Sequence, residues 1–261
     1  MSMIDIQTRF SADPAHALSA PAVTRVAVTD IPWGTALGGA LDPHPKIDPD
    51  SPVTGLTAPP NWKIRVTNKA GVSLTTLHVK NAPKSTGLPD LPDPIGGIPP
   101  PGNMAPESVF EYAVPTGWSG RIAFAEAGKL IVGDESLIEA SFEVQVDEKN
   151  VPIVNYALGD IDVSYVDGYT FPIMCSCAAD NRFLSGCDSP KLWGQSIACP
   201  DKNPHGACRN PHRDKDQGQV TYAHEWFKGC QGRAYTFPKD DKANSNGQCQ
   251  SGTVNCQILP K

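Results

Sequence analysis

The chain has 261 residues, with 22 basic and 28 acidic side chains and a formal net charge of −6. That length suits one large domain, or one domain with an appendage, and is enough to bury a substantial core. No apolar run approaches the roughly 18 residues of a membrane-spanning helix, and an acidic chain without a Lys/Arg cluster is a poor match to a nucleic-acid backbone. The 23 glycines and 26 prolines point to a mainly β chain rich in turns.

Residues 1–60 carry nine prolines and little periodicity, and read as a Pro-rich N-terminal arm in which Val23–Val28 could form an edge strand. Trp62–Thr67 and Val72–Val79 alternate apolar and polar residues, and Asn68-Lys-Ala-Gly71 between them fits a hairpin connection. Residues 81–106 hold eight prolines and read as a long loop. Strand patterns resume at Ser108–Val114, Gly120–Ala125, Leu137–Val146 and Ile161–Val166, while Tyr222–Lys228 is a short stretch with helical spacing. The resulting organisation is a β-sandwich core over 61–174 and 230–261, with a cystine-rich loop region over 175–229.

All eight cysteines lie between Cys175 and Cys256. An even count in a loop-rich third of the chain reads as four disulfides, and so as an oxidising compartment. Met1–Phe10 lacks a basic start followed by an apolar stretch. The expectation is therefore a secreted protein, either with a signal lying outside this numbering or with unconventional export. Cys199, His205, Cys208 and His212, with His224 further on, offer donors for zinc. Their spacing matches no finger pattern and half-cystines account for both sulfurs, so neither metal nor cofactor is expected.

Three segments carry a resemblance. They are Asp160-Ile-Asp-Val-Ser-Tyr-Val-Asp-Gly-Tyr169, Cys177-Ala-Ala-Asp180, and Trp226-Phe-Lys-Gly-Cys230 followed by Ala234-Tyr-Thr-Phe-Pro-Lys-Asp-Asp241. With Trp118-Ser-Gly-Arg-Ile122 and the closing Cys249 and Cys256, they make residues 62–261 resemble the thaumatin-like proteins. The wording of Ser136–Phe142 is closer to fungal members. The resemblance implies an antiparallel β-sandwich with disulfide-stapled loops and an acidic cleft that in some members binds or hydrolyses β-1,3-glucan.

By the same resemblance Glu139 takes the acid role, and Asp162 and Asp167 match two cleft aspartates. Those two are five apart, so a straight strand sends them to opposite faces, and both reach one cleft only if the chain bends at Val166-Asp-Gly168. The family's cleft arginine has no counterpart and Glu126 stands roughly in its place; the resemblance does not put Arg121 in the cleft, though Arg121 could supply the positive charge from elsewhere. Tyr165, Tyr169, Phe171 and Tyr235 are the candidate sugar-binding aromatics. Family members commonly carry about twice as many cysteines. The positions that remain imply Cys175–Cys249 and Cys177–Cys230, with Cys187–Cys199 as the local choice and Cys208–Cys256 left over.

The expected partner is a cell-wall polysaccharide or a small-molecule ligand, met by a monomer. Three functions stay open: a weak endo-β-1,3-glucanase, a non-catalytic glucan-binding or antifungal module, and a scaffold recruited to small-molecule chemistry.

Overall fold

The computed structural model describes residues 61–81, 93–95, 102–146, 152–188, 191–215, 219–249 and 251–261. The N-terminal arm and its edge strand lie outside the described residues. In chain order the strands are β1 (Asn61–Asn68), β2 (Leu74–Lys80), β3 (Gly102–Met104), β4 (Val109–Pro115), β5 (Trp118–Glu126), β6 (Ser136–Val146), β7 (Pro152–Ser164), β8 (Gly168–Tyr169), β9 (Ile173–Cys177), β10 (Phe183–Cys187), β11 (Cys208–Arg209) and β12 (Thr253–Ile258). Helical structure among the described residues is one short α-helix, α1 (Lys191–Gly194), and two 3-10 turns at Glu225–Cys230 and Asp241–Ala243.

Two five-stranded sheets form the body, one ordered β10-β9-β12-β1-β4 and the other β3-β2-β5-β6-β7. The paired strands run antiparallel with one exception, β1 beside β12, which is parallel. Alternation drives the packing. In β1, Trp62, Ile64 and Val66 are buried while Lys63 and Arg65 turn outward, and in β5 Trp118, Ile122 and Phe124 point into the same core. Each such side chain contributes about 1.5–3 kcal/mol by leaving water. Two glycines make room for the largest rings. A Cβ at Gly159 would strike the Trp62 indole, and one at Gly120 would strike Trp118.

The expected β1–β2 hairpin does not form. β1 pairs with β12 and β4, and β2 with β3 and β5, so residues 69–73 carry the chain from one sheet to the other. The reason is Asn68. Its buried amide donates to the carbonyls of Val72 (2.8 Å) and Met104 (2.9 Å), and its oxygen accepts from the Ala70 N–H (2.9 Å). With Gly71 at φ 76°, this makes a corner where a two-strand turn was expected. The sandwich also extends further than the expected boundary, because β9 and β10 are strands of the first sheet.

The four disulfides are Cys175–Cys256, Cys177–Cys249, Cys187–Cys230 and Cys199–Cys208, so none of the expected pairings stands. Register explains the first: Cys175 and Cys256 are direct neighbours across β9 and β12. Cys177 then meets Cys249 in the segment leading into β12. Cys187 at the end of β10 ties down the 3-10 turn ending at Cys230, and Cys199–Cys208 closes a local loop. No helix among the described residues is long and apolar enough to cross a membrane.

Candidate functional site

The second sheet turns alternate residues of β5, β6 and β7 away from the sandwich core. Register aligns them in rows. Arg121 faces Glu139, and Glu139 faces Asp162; two residues along, Ser119 faces Ser141, and Ser141 faces Asp160. Directly opposed residues of antiparallel strands hold their Cβ atoms about 4.5–5.5 Å apart, so each row sets polar side chains next to one another on one face. Asn81 closes the second row by donating to the Ser119 hydroxyl at 2.8 Å. Between them lies a cleft of about 110 Å³ lined by Asn81, Ser119, Glu139, Ser141, Asp160 and Asp162.

β7 is the last strand of its sheet, and its free edge is taken up by the chain around Tyr235 and Ser245. The Tyr235 N–H donates to the Val163 carbonyl (2.9 Å), and the Tyr165 N–H to that of Tyr235 (2.7 Å). Ser245 donates from its hydroxyl to the Ile161 carbonyl (2.7 Å) and from its N–H to Asp162 Oδ1 (3.1 Å). This segment builds a wall beside Asp162. Tyr235, half-buried in it, accepts from the Asn244 amide at 3.2 Å.

The expected bend between the two aspartates is present. β7 ends at Ser164, residues 165–167 turn, and Asn210 holds the turn by donating its N–H to the Asp167 carbonyl (3.1 Å) and its amide to the Tyr165 (2.9 Å) and Thr236 (2.8 Å) carbonyls. Asp162 and Asp167 therefore both feel the charge of Glu139.

Electrostatics separates the carboxyls. Burial pushes Glu139 up, while the Arg121 guanidinium and a hydrogen bond from Ser164 pull it back. Asp167 is pushed up to about 6, first by burial and then by Glu139, with Arg121 opposing. Asp162 is pushed up to about 9, first by burial and then by the neighbouring Asp160 charge; the Ser245 N–H works the other way. Tyr235 is raised by burial and by the neighbouring Asp162.

Compared with known proteins, the chain matches no family model and no curated protein.

Of the residues expected at the site, Glu139 and Asp162 line the cleft; Asp167, in the turn after β7, and Tyr235, in the wall segment, are not among its lining residues but lie within the electrostatic reach of Glu139 and Asp162 respectively. Tyr165, Tyr169 and Phe171 do not reach the cleft. They are fully buried in the hydrophobic core, where the Tyr169 ring lies 4.9 Å from Tyr165, 5.5 Å from Trp226 and 6.0 Å from Trp193. Burying three large rings under the stapled region stabilises the fold more than exposing them would.

Arg121 stands directly across from Glu139 without being among the residues that line the cleft, so its charge acts from beside it, whereas Glu126 lies exposed at the end of β5 against Lys261. Asp160, Ser119, Ser141 and Asn81 were not anticipated. Asp160 had a signal, since it stands two residues before Asp162 and so shares its face; the others depend on register.

The zinc alternative loses two of its donors, because Cys199 and Cys208 are bonded to each other. Among the described residues no three His, Cys, Asp or Glu side chains are grouped to hold a metal ion.

Proposed function

We propose that the chain is a secreted, thaumatin-like protein that binds a neutral cell-wall polysaccharide of the β-1,3-glucan type in the cleft of the second sheet and hydrolyses it slowly. The observation that carries this reading is the Arg121–Glu139–Asp162 row, one cation and two carboxyls aligned across three strands beside Asp160 and Asp167. Glycoside hydrolysis needs a carboxyl that is protonated at the working pH and another that is ionised. Burial raises the carboxyls of Glu139, Asp162 and Asp167, with Arg121 opposing the shift at Glu139 and Asp167 and with Asp160 adding to it at Asp162, so the face favours a protonated carboxyl, which an acid catalyst requires. The hydroxyls of Ser119 and Ser141 suit the polar edge of a sugar ring. Four disulfides support folding in an oxidising compartment.

A second reading, a small polyol ligand, is favoured by the cleft's volume. About 110 Å³ is below the usual range of roughly 300–1,000 Å³ for ligand pockets. The test is reducing-sugar release from laminarin by wild type and Glu139→Gln, with pull-down of insoluble glucan in the same tubes. Release that is lost in a folded mutant is expected. Binding without release makes the chain a wall-recognition module, and neither binding nor release overturns the glucan reading in favour of the polyol.

A further inference from the structure

The free edge of β7 is closed by side chains as well as by backbone. The Gly159 carbonyl accepts from the Gly247 N–H at 3.0 Å, and the Val163 N–H donates to the Ser185 hydroxyl at 2.9 Å. Between them, at Ile161, one atom serves both backbone groups. The Ser245 hydroxyl donates to the Ile161 carbonyl at 2.7 Å and accepts from the Ile161 N–H at 3.1 Å, which a hydroxyl can do at once. A neighbouring strand would have paired Ile161 through its own N–H and carbonyl. Because the hydroxyl takes that place, the Ser245 N–H is not used up by the sheet, and it donates to Asp162 Oδ1 at 3.1 Å.

The residues on either side of Ser245 hold it there. Asn244 Oδ1 accepts from the Asn246 N–H at 2.9 Å, an Asx turn, while the Asn244 amide reaches the Tyr235 hydroxyl. The Gln248 N–H donates to the Ser245 carbonyl at 3.0 Å, and Gly247, at φ 72°, lets the chain turn back. Cys249 follows, and its disulfide to Cys177 ties the segment to β9. Ser245 itself is buried.

We propose that Ser245 is a positioning residue for Asp162: its hydroxyl clamps it to Ile161, and the N–H so placed turns Asp162 Oδ1 to the wall and Oδ2 to the cleft. The neutral carboxyl then carries its proton on Oδ2, since Oδ1 already accepts an N–H, and presents that proton to the ligand. Without the contact the carboxyl is free to rotate about its broad terminal torsion, and a reacting group held in one orientation works better than one that wanders. Asp162 is faced by Asp160 on its own strand, by Glu139 on β6 with Arg121 beyond it on β5, and by Tyr235 in the wall. Ser245 carries no charge, so it acts on Asp162 through one directed hydrogen bond. The orientation toward a ligand rests on the glucan reading above; the contact itself does not.

The contact is tested without any substrate. The full chain, labelled with 15N and with 13C at the aspartate carboxyls, is titrated by NMR from about pH 3 to about pH 10 as wild type, Asp162→Asn and Ser245→Ala. In wild type the Asp162 carboxyl is expected to titrate toward about 9, and the residue 245 amide proton to shift with the same midpoint. That step should vanish in Asp162→Asn. In Ser245→Ala, shown to be folded by its amide spectrum, it should vanish while the Asp162 carboxyl still titrates, and the Ile161 amide should exchange about tenfold faster or more. An amide at 245 that stays flat through the Asp162 midpoint in wild type, or that keeps its step in either variant, overturns the proposal. So does unchanged exchange at Ile161. The wild-type and Asp162→Asn curves decide the contact even where Ser245→Ala does not fold.

A second arm measures laminarin release. Ser245→Ala should lower kcat by about tenfold or more while KM stays within about twofold. An unchanged kcat in a variant that has lost the amide step overturns the assignment of Oδ2 to the ligand. Wild type that neither binds nor releases sugar defeats the glucan reading, and the titration still decides whether Ser245 holds Asp162.

Discussion

Strands β5 to β7 have two faces built from adjacent residues, and the faces are opposites. Ile122, Ile138 and Val163 form one row, buried to 2% exposure or less against the first sheet. One residue away in each strand, Arg121, Glu139 and Asp162 form a row, of which Glu139 and Asp162 line the cleft. The backbone is shared, so whatever separates the two chemistries lies in the side chains and what covers them. A sheet in a sandwich needs only one face for its core, and that frees the other to hold charges that would be costly inside it. Leu137 and Ser164 on that outer face are buried, the latter beside the strand-like pairing with Tyr235, and the cleft lies among the polar residues further along.

The comparison can be broken most strongly at neighbouring positions. Ile138→Ala, on the inner row, should cost about 2–5 kcal/mol in urea unfolding through the cavity it opens. Glu139→Gln, the next residue, should unfold within about 1 kcal/mol of wild type but lower sugar release by about 10²–10⁴-fold. Equal losses of stability at both positions would mean that the two faces are one core.

Arg121→Met removes the cation opposite Glu139. It should destabilise by about 1–3 kcal/mol near neutral pH, and by less in acid, where the carboxyls it neutralises are themselves protonated.

A subtler difference is the sign of each face's response to pH. Asp167 has its folded pKa raised to about 6, so its contribution to stability is complete below the ordinary aspartate range and is lost as pH rises toward 6. His78, on the inner face against Phe110, is lowered to about 4 by burial. Its contribution is complete above the ordinary histidine value and is lost as pH falls toward 4. The two oppose each other between about pH 4 and about pH 6. Asp167→Asn should therefore make thermal stability fall on acidification through that window, and His78→Leu should make it rise, each by on the order of 1–2 kcal/mol. Melting temperatures across that window check both.

The smallest effect belongs to the outer face of the first sheet. The Arg65–Glu111 pair there, at 2.6 Å and solvent-exposed, should be worth less than about 1 kcal/mol in a double-mutant cycle.

Alternation made the strands legible, because a two-residue period is written directly in Trp62–Thr67 or Leu137–Val146. Partnering between strands was not. The turn chemistry of Asn68–Gly71 suits a hairpin as well as a corner, and only the Met104 carbonyl, 36 residues away, shows that Asn68 serves a corner. The cysteine pairs failed for the same reason, since Cys175 meets Cys256 through the register of β9 and β12. At the site, Glu139, Asp162 and Asp167 were found through their resemblance to a motif. That Arg121 stands across from Glu139 was not legible, because it depends on which residue of β6 lies opposite. The aromatics were misplaced because a ring beside cleft residues in sequence packs equally well beneath the cleft as within it.

The central claim is that the outer row of the second sheet is the working surface. The most direct test is a titration of the 15N-labelled chain with laminari-oligosaccharides, followed through its backbone amides. The account predicts shifts concentrated at Asn81, Ser119–Arg121, Glu139–Ser141 and Asp160–Asp162, and weakened by Glu139→Gln. Shifts centred elsewhere, or none at millimolar sugar, would contradict it.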